Sequence, residues 1–182
     1  SIPGMTVLNP ADDTEAKLAV EAAYKHDGPV YIRFGRLAAP VIFGDDYKFE
    51  IGKGVELKEG NDITVIATGL MVGTALEAYE TLKEKGINAR IINMPTIKPI
   101  DSDIIIKAAK ETGKIVTVEE HSVIGGLGSA VCDVVCENCP VPVYKIGVND
   151  EFGYSGPATE LLKIFGLSAE NIVNTVCKAL GK

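Results

Sequence analysis

The sequence predicts an α/β fold: a three-layer α/β/α domain with a mostly parallel sheet of about five strands, preceded by a partial β-α-β unit. Two observations predict it. From residue 63 onward, short apolar runs alternate with longer segments in which apolar residues recur every three or four positions. The short runs are almost continuously apolar, which is typical of strands covered by helices on both faces. With 182 residues, of which 46% are hydrophobic, the chain is long enough and apolar enough for a packed core.

The first part of the chain predicts a single β-α-β unit. MTVLNP is a short strand, NPADDTEAKLAVEAAYKH is a helix opened by Asn9 or Asp12 with acidic residues in its first turn, and GPVYIRFGR is a second strand. A unit of this size does not bury both faces of its sheet, so we expect it to need further strands or a partner chain. Because the sequence also starts without a methionine, we expect a processed product or one section of a split enzyme.

The regular pattern breaks between Leu37 and Asn61, where glycines, mixed charges and short alternating runs indicate a connector. We assign residues 1–44 to the first unit and residues 45–60 to a linker with a small hairpin. Residues 61–182 are predicted to form the second, complete domain.

The second domain alternates strands and helices. The predicted strands are ITVIATGLMV, INARIINMPTIKPID, IVTVEE and VPVYKIGV. The predicted helices are VGTALEAYETLKEKG, SDIIIKAAKETGK, a helix opened by GGLGSAV, ATELLKIFG and SAENIVNTVCKALG, the last with Ser168 as its N-cap.

Composition excludes two classes of partner. A net charge of -7 and a pI near 4.9, with no run rich in lysine and arginine, argue against nucleic acid. No apolar run approaches the roughly 20 residues that span a bilayer, and the start does not resemble a signal peptide. We therefore expect no membrane partner and a cytoplasmic location.

Three of the four cysteines, Cys132, Cys136 and Cys139, follow a C-x3-C-x2-C spacing that invites a zinc interpretation. A zinc site usually needs a fourth ligand in a second pair, and neither His26 nor His121 belongs to one. We therefore predict no metal site, and expect Cys132 and Cys136 to be small buried helix residues with free thiols.

The segment GGLGSAV follows a strand and opens a helix, so a phosphate or dinucleotide site has to be considered at Gly126 and Gly128. The segment lacks the third glycine of G-x-G-x-x-G and the Lys-Ser/Thr of a P-loop. Its glycines are explained as letting the helix start close to the sheet, while the free N–H groups of the first turn can take a small anion.

Glu119, Glu120 and His121 end a predicted strand, where ligands collect in open parallel sheets. Since adjacent strand residues point to opposite faces, the two carboxylates do not both reach one substrate. His121 is retained as a candidate acid or base, with local hydrogen bonding, helix capping and packing at a subunit boundary as the alternative roles.

Arg33 and Arg36 lie near the end of the strand GPVYIRFGR, and Gly35 between them lets the backbone turn. A guanidinium offers paired, planar donors suited to phosphate. From the residues alone, a solvent-exposed or structurally paired arginine is the favoured explanation, ahead of a phosphate-binding one.

Four segments resemble the transketolase family: NPADDTEAKLAVEAA, GPVYIRFGR, VTVEEHSVIGGLGSAV and SGPATELL. The resemblance covers nearly the whole chain, as the end of the pyrimidine-binding domain followed by the transketolase C-terminal domain. It implies that Arg36 grips the phosphate of the sugar substrate, whereas Arg33 has no such counterpart. It implies no catalytic, cofactor-binding or metal-binding residue on this chain.

The resemblance also implies what the whole enzyme does. Transketolases move a two-carbon ketol unit between sugar phosphates, in the pentose phosphate pathway, with thiamine diphosphate and Mg²⁺ or Ca²⁺. The GDG motif that binds the diphosphate and the part that carries the cofactor-activating glutamate have no match in this sequence. We therefore expect this chain to be a scaffold and dimer interface, inactive alone, whose partners are the N-terminal section of the enzyme and a second copy.

Four alternatives remain open at this point. Deoxyxylulose-phosphate synthase and the β subunit of a 2-oxo-acid dehydrogenase are close relatives, although FGRL and FGYSGPATELLKIFGL favour transketolase. A non-catalytic binding or assembly module and a nucleotide-binding α/β protein are the alternatives from other classes.

Overall fold

The computed structural model describes residues 2–182 and has the predicted alternation of strands and helices. Its strands are β1 Thr6–Leu8, β2 Val30–Ile32, β3 Val55–Lys58, β4 Ile63–Ala67, β5 Ala89–Asn93, β6 Thr96–Lys98, β7 Ile115–Ser122 and β8 Val143–Val148. Its helices are α1 Asp13–Lys25, α2 Met71–Glu84, α3 Ser102–Thr112, α4 Leu127–Asn138, α5 Ala158–Ile164 and α6 Ala169–Leu180.

The larger sheet has five strands in the order β3-β5-β4-β7-β8. β5, β4, β7 and β8 are parallel, and β3 pairs with β5 in the antiparallel sense. The mostly parallel five-stranded sheet predicted from the sequence is therefore confirmed.

Helices cover both faces of this sheet, as the continuous apolar runs predicted. On one face, Val65 and Ala67 of β4 pack in a cluster with residues of α2 and α6. On the other face, Ile66 packs in a second cluster with residues of α3 and α4. Because successive strand residues point to opposite faces, one strand contributes to both cores and both of its faces must be apolar.

The linker differs from the prediction. Residues 45–60 contain no hairpin, because the strand in this range, β3, pairs with β5 rather than with a neighbouring segment of the linker. Asp101, the N-cap of α3, accepts a hydrogen bond from the backbone N–H of Gly54 at 3.0 Å and so fixes the approach to β3. The wrong prediction has a physical cause: short alternating runs indicate strands but do not identify their partners.

The segment INARIINMPTIKPID, predicted as one strand, forms two strands in different sheets. β5 belongs to the large sheet, whereas β6 pairs in the antiparallel sense with β1 of the first unit. Pro95 lies between them and lacks the N–H group that a continuous central strand needs. The smaller sheet therefore has the order β2-β1-β6 and takes one strand from the second domain.

Several hydrogen bonds reinforce the joint between the first unit and the second domain. The N–H of Asn9 donates to the carbonyl of Pro95 at 2.7 Å, and the N–H of Gly69 donates to the carbonyl of Asn9 at 3.2 Å. A side chain at Gly69 would lie 2.6 Å from the Asn9 Oδ1 atom, so this close approach requires glycine. The first unit thus completes its sheet against its own chain.

The side chains that cap α1 and α6 agree with those predicted from the sequence. Asp12 is the N-cap of α1 and accepts from the N–H of Glu15 at 2.8 Å, and Ser168 is the N-cap of α6, as predicted. Among residues 2–182, no helix combines the length and the apolarity needed to cross a membrane.

Candidate functional site

A cavity of about 370 Å³ lies where the first unit presents the carboxyl ends of its parallel strands β1 and β2. Its walls are the first turn of α1 and the loop after β2. The residues that line it are Pro10, Ala11, Asp12, Asp13, Ala16, Phe34, Gly35, Leu37, Ala38, Ala39, Val41 and Leu70. Carboxyl ends of parallel strands are where such folds bind ligands, so this cavity is the candidate functional site.

The two arginines of GPVYIRFGR lie in different environments. Arg36 is exposed and lies between Gly35 and Leu37, which both line the cavity. Arg33 instead donates from its Nη2 atom to the carbonyl of Glu120 at 2.8 Å, across the joint between the first unit and the second domain. Arg33 therefore stabilises the joint, whereas Arg36 forms no side-chain hydrogen bond or ion pair with residues 2–182 and does not itself line the cavity.

Asp12 holds the two walls of the cavity together. Its Oδ1 atom caps α1, and its Oδ2 atom accepts from the N–H groups of Ile42 and Phe43 at 2.7 and 2.8 Å. These two residues directly follow Val41, a residue of the opposite wall. Removing this carboxylate would leave buried backbone donors unpaired.

Glu15, which is 0% exposed, forms the buried end of the same wall. Its Oε2 atom accepts from the N–H of Ala11 at 2.7 Å. Its Oε1 atom accepts from the hydroxyl of Tyr47 at 2.6 Å and from the Nδ2 atom of Asn93 at 2.8 Å. We call Asp12, Glu15, Tyr47 and Asn93 the Glu15 cluster. It joins α1, the linker and β5.

Burial raises the pKa of Glu15 from 4.5 to about 7, although the hydrogen bonds from Tyr47, Ala11 and Asn93 oppose the shift. Burial and the adjacent Glu15 carboxylate likewise raise the pKa of Tyr47. A carboxyl group with this pKa changes its charge near neutral pH.

Glu119 occupies the anion position at the start of α4. It is 2% exposed, and its carboxylate accepts from the N–H groups of Leu127 and Gly128 at 2.7 and 2.8 Å. Burial raises its pKa, and these two hydrogen bonds oppose the shift. A side chain on Gly126 would lie 1.9 Å from the Glu119 Oε2 atom. The glycines of GGLGSAV therefore serve an internal carboxylate, and this end of the helix does not offer those donors to an external anion.

His121 is exposed, and its Nδ1 atom lies 3.0 Å from the carbonyl of Ser122 and 3.9 Å from the Glu119 Oε2 atom. It lines a second cavity of about 110 Å³ at the joint, together with Arg33 and Thr68. Two polar side chains of this small cavity are engaged with other protein atoms: Arg33 and Thr68 donate to backbone carbonyls. We interpret the small cavity as part of the joint between the two units.

The cysteines differ in part from the prediction. Cys132 is half-buried, but Cys136 is exposed rather than buried, because α4 turns that position away from the core. Within residues 2–182, no group of three or more histidine, cysteine and acidic side chains is arranged to hold a metal ion.

The sequence indicated Asp12 only as a residue that opens α1, and it assigned no role to the buried carboxylate of Glu15. Asp12 and Glu15 have the D-x-x-E spacing of a capping box, which was a local signal for Glu15. Tyr47 and Asn93 carry no comparable signal, since they lie 32 and 78 residues from Glu15 in the sequence.

Comparison with known proteins identifies the family. The family model described as "Transketolase, C-terminal domain" matches residues 52–172. The subunit of a 6-deoxy-6-sulfo-D-fructose transketolase from Clostridium sp. (strain MSTE9) is 46% identical, over 95% of this chain and 54% of the relative. A putative transketolase C-terminal section from Methanocaldococcus jannaschii is 45% identical, over 100% of this chain and 58% of the relative.

The fold matches a solved structure described as a split gene transketolase, inactive beta4 tetramer. The TM-score is 0.95 and the identity 49%, over 99% of this chain and 59% of the other. Several 1-deoxy-D-xylulose-5-phosphate synthases match as well. The chain thus spans somewhat more than half the length of its transketolase relatives.

The Glu15 cluster predicts a pH-dependent stability. Because the folded pKa of Glu15 is about 7 and the unfolded value about 4.5, the folded chain binds the proton more tightly. The resulting stability is fully present below pH 4.5 and is lost as pH rises through 7. At about 1.4 kcal/mol per pKa unit, the loss is about 3 kcal/mol. The free energy of unfolding of Glu15→Gln, measured with urea as a function of pH, should lack this pH-dependent part. The control Glu21→Gln, at an exposed position on α1, should keep it.

Glu119→Ala should lower the free energy of unfolding by about 1 to 3 kcal/mol, because it leaves two backbone donors at the start of α4 without their acceptor. Urea titration measures the change. Glu120→Ala is the matched control, since its carbonyl still accepts from Arg33. Equal losses in the two variants would contradict the role assigned to the Glu119 carboxylate.

Proposed function

The chain belongs to the transketolase family, as its C-terminal section, and from this premise we propose that it forms part of an enzyme that transfers a two-carbon ketol unit between sugar phosphates. Its partners are the N-terminal section of the enzyme and a second copy of the assembly. On this proposal the chain is mainly a scaffold and an interface, is inactive alone, and works in the cytoplasm, where its four free thiols suit a reducing environment.

The observation that carries the proposal is the match, over nearly the whole chain, to a split-gene transketolase subunit. The match includes the first unit, which a free-standing C-terminal domain would not need. This supports an assembly in which the first unit contributes to a substrate site, and it disfavours a non-catalytic module.

Within that assembly, the cavity of the first unit is proposed to receive the sugar phosphate. Arg36, whose two neighbours in sequence line the cavity, would hold the phosphate through charge-assisted hydrogen bonds. Asp13, on the cavity wall, is exposed, and its carboxylate can accept hydrogen bonds from the hydroxyl groups of a sugar. Gly35 and Leu37 fix the position of the Arg36 backbone beside the cavity.

Thiamine diphosphate and its metal ion are proposed to be held by the N-terminal section. The residues described here do not fit the diphosphate at the glycine loop, where Glu119 takes the N–H groups of Leu127 and Gly128. We therefore assign no cofactor-binding role to this chain.

A second candidate is the corresponding part of a 1-deoxy-D-xylulose-5-phosphate synthase, since such enzymes are among the relatives. Both enzymes act on phosphorylated sugars, so the proposed role of Arg36 is common to them. Assays of the assembled enzyme with a sugar-phosphate acceptor and with pyruvate plus glyceraldehyde phosphate distinguish the two.

Arg36→Ala should raise the Michaelis constant for phosphorylated sugars by about one to two powers of ten, since charge-assisted hydrogen bonds contribute roughly 1.5 to 3 kcal/mol. A non-phosphorylated donor such as hydroxypyruvate should be affected much less. Steady-state kinetics of the enzyme assembled from this chain and its N-terminal section provide the measurement.

Lys25→Ala is the matched control, because it removes one positive charge from an exposed position at the opposite end of α1. Its Michaelis constants should not change. If Arg36→Ala impairs both classes of substrate equally, or neither, the arginine does not bind the phosphate.

The isolated chain should show no ketol transfer and no measurable binding of thiamine diphosphate, and both should appear on addition of the N-terminal section. Calorimetry with thiamine diphosphate and Mg²⁺ tests this directly. A dissociation constant below roughly 100 µM for the chain alone, about 5.5 kcal/mol, would contradict the proposal.

A further inference from the structure

We propose that Glu15 is a positioning residue. Its buried carboxylate couples the linker and the second domain to the walls of the cavity in the first unit, which is lined by Ala11 and Val41. The inference rests on the proposed function only in taking this cavity as a substrate site. The contacts themselves come from three separate parts of the chain, which meet at one carboxyl group.

The first step is the direction of the hydrogen bonds. Ala11, Tyr47 and Asn93 all donate to Glu15, and a proton on that carboxyl meets an acceptor here only if the Tyr47 hydroxyl or the Asn93 amide turns. The contacts are therefore built for the ionised group, which accepts only. Protonation removes part of the accepting capacity, and at least one of the three donors must then rearrange.

The second step is the part of the structure to which each donor belongs. The backbone N–H of Ala11 belongs to the cavity wall itself. Tyr47 belongs to the linker and stacks on Phe43, with ring centroids 3.9 Å apart. Phe43 in turn donates its N–H to Asp12, so a change at Glu15 reaches both walls through directly bonded groups.

The third step is the link to the second domain. Asn93 is the last residue of β5 and is 0% exposed. Its Oδ1 atom is buried without a hydrogen-bond partner. The amide is therefore held in place through its Nδ2 atom and Glu15, and a turn of the amide would present an acceptor to the protonated carboxyl. A change in the charge of Glu15 therefore changes the hydrogen bond made by Asn93, which lies in the large sheet.

The charged and titratable groups that face Glu15 are few. Asp12, on the same helix, raises the pKa of Glu15 by its negative charge, and Tyr47, from the linker, lowers it through its hydrogen bond. Asn93 faces it from β5 and is neutral. Within residues 2–182, no lysine or arginine forms an ion pair with this carboxylate. The pKa of Glu15 is therefore determined mainly by burial, which raises it, and by the three donors, which lower it.

The test is the pH dependence of the amide NMR signals of the full chain between pH 5 and 9. The Ala11 amide reports the carboxyl group directly, and the Val41 amide reports the opposite wall. We expect both to titrate with one midpoint near 7. Glu15→Gln should abolish the titration. Tyr47→Phe and Asn93→Ala each remove a donor to the ionised form, so each should move the midpoint to higher pH.

Tyr144→Phe is the matched control for the loss of a hydroxyl, since the Tyr144 hydroxyl makes no side-chain hydrogen bond within the described residues, and it should leave the midpoint unchanged. In the assembled enzyme, Tyr47→Phe should raise the Michaelis constant for a sugar phosphate about twofold to tenfold, with a smaller effect on kcat, as expected for one hydrogen bond.

Three outcomes overturn the proposal. They are a missing titration at Ala11, a titration that persists in Glu15→Gln, and a Val41 amide that does not follow Ala11. The Arg36 variants decide the proposed function separately. Coupled amide titrations together with a silent Arg36→Ala would support the role of Glu15 in the cavity wall and reject the assigned substrate contact.

Discussion

The antiparallel pairing of β1 with β6 is the interaction on which the arrangement of this chain depends. β1 lies at the centre of a three-stranded sheet whose third strand comes from the second domain. Without β6, the first unit would be a two-stranded sheet with one helix, too small to bury its own apolar surface. The pairing also brings Arg33 to Glu120 and Glu15 to Asn93, so the contacts across the joint follow from it.

Buried carboxylates stabilise the backbone at four places. Asp12, Glu15, Asp101 and Glu119 are each at most 7% exposed, and each accepts at least one hydrogen bond from a backbone N–H. The bonds of Asp12 and Asp101 reach 30 and 47 residues along the chain. Burial of a carboxylate is unfavourable unless donors surround it, so each of these acids fixes the backbone segments that supply its donors.

This use of carboxylates explains why a glycine-rich turn at a helix start gives no phosphate site here. The helix dipole and the free N–H groups of α4 attract an anion, and Glu119 supplies it from the end of β7. The second domain has the topology of a ligand-binding α/β fold, yet the cavity beside the end of β7 is small, about 110 Å³, and is lined partly by the first unit. The open cavity lies in the first unit, beside Arg36.

The sequence by itself determined most of the strands and helices, a mostly parallel sheet of about five strands with helices on both faces, and the caps Asp12 and Ser168. These features depend on periodicity and on neighbours within one turn, which are properties of short segments. The family resemblance added Arg36 as a candidate, and the exposed loop beside the cavity is compatible with it.

The tertiary structure alone decided the pairing of β3 and β6, the engagement of Glu119 with the start of α4, and the partners of Glu15. These contacts join residues far apart in sequence. A strand or a carboxylate has the same local pattern whichever partner it meets, because register and donors are supplied by other segments of the folded chain. Arg33 and Arg36 illustrate the limit. They are similar residues three positions apart, and only the position of Glu120 distinguishes the structural arginine from the free one.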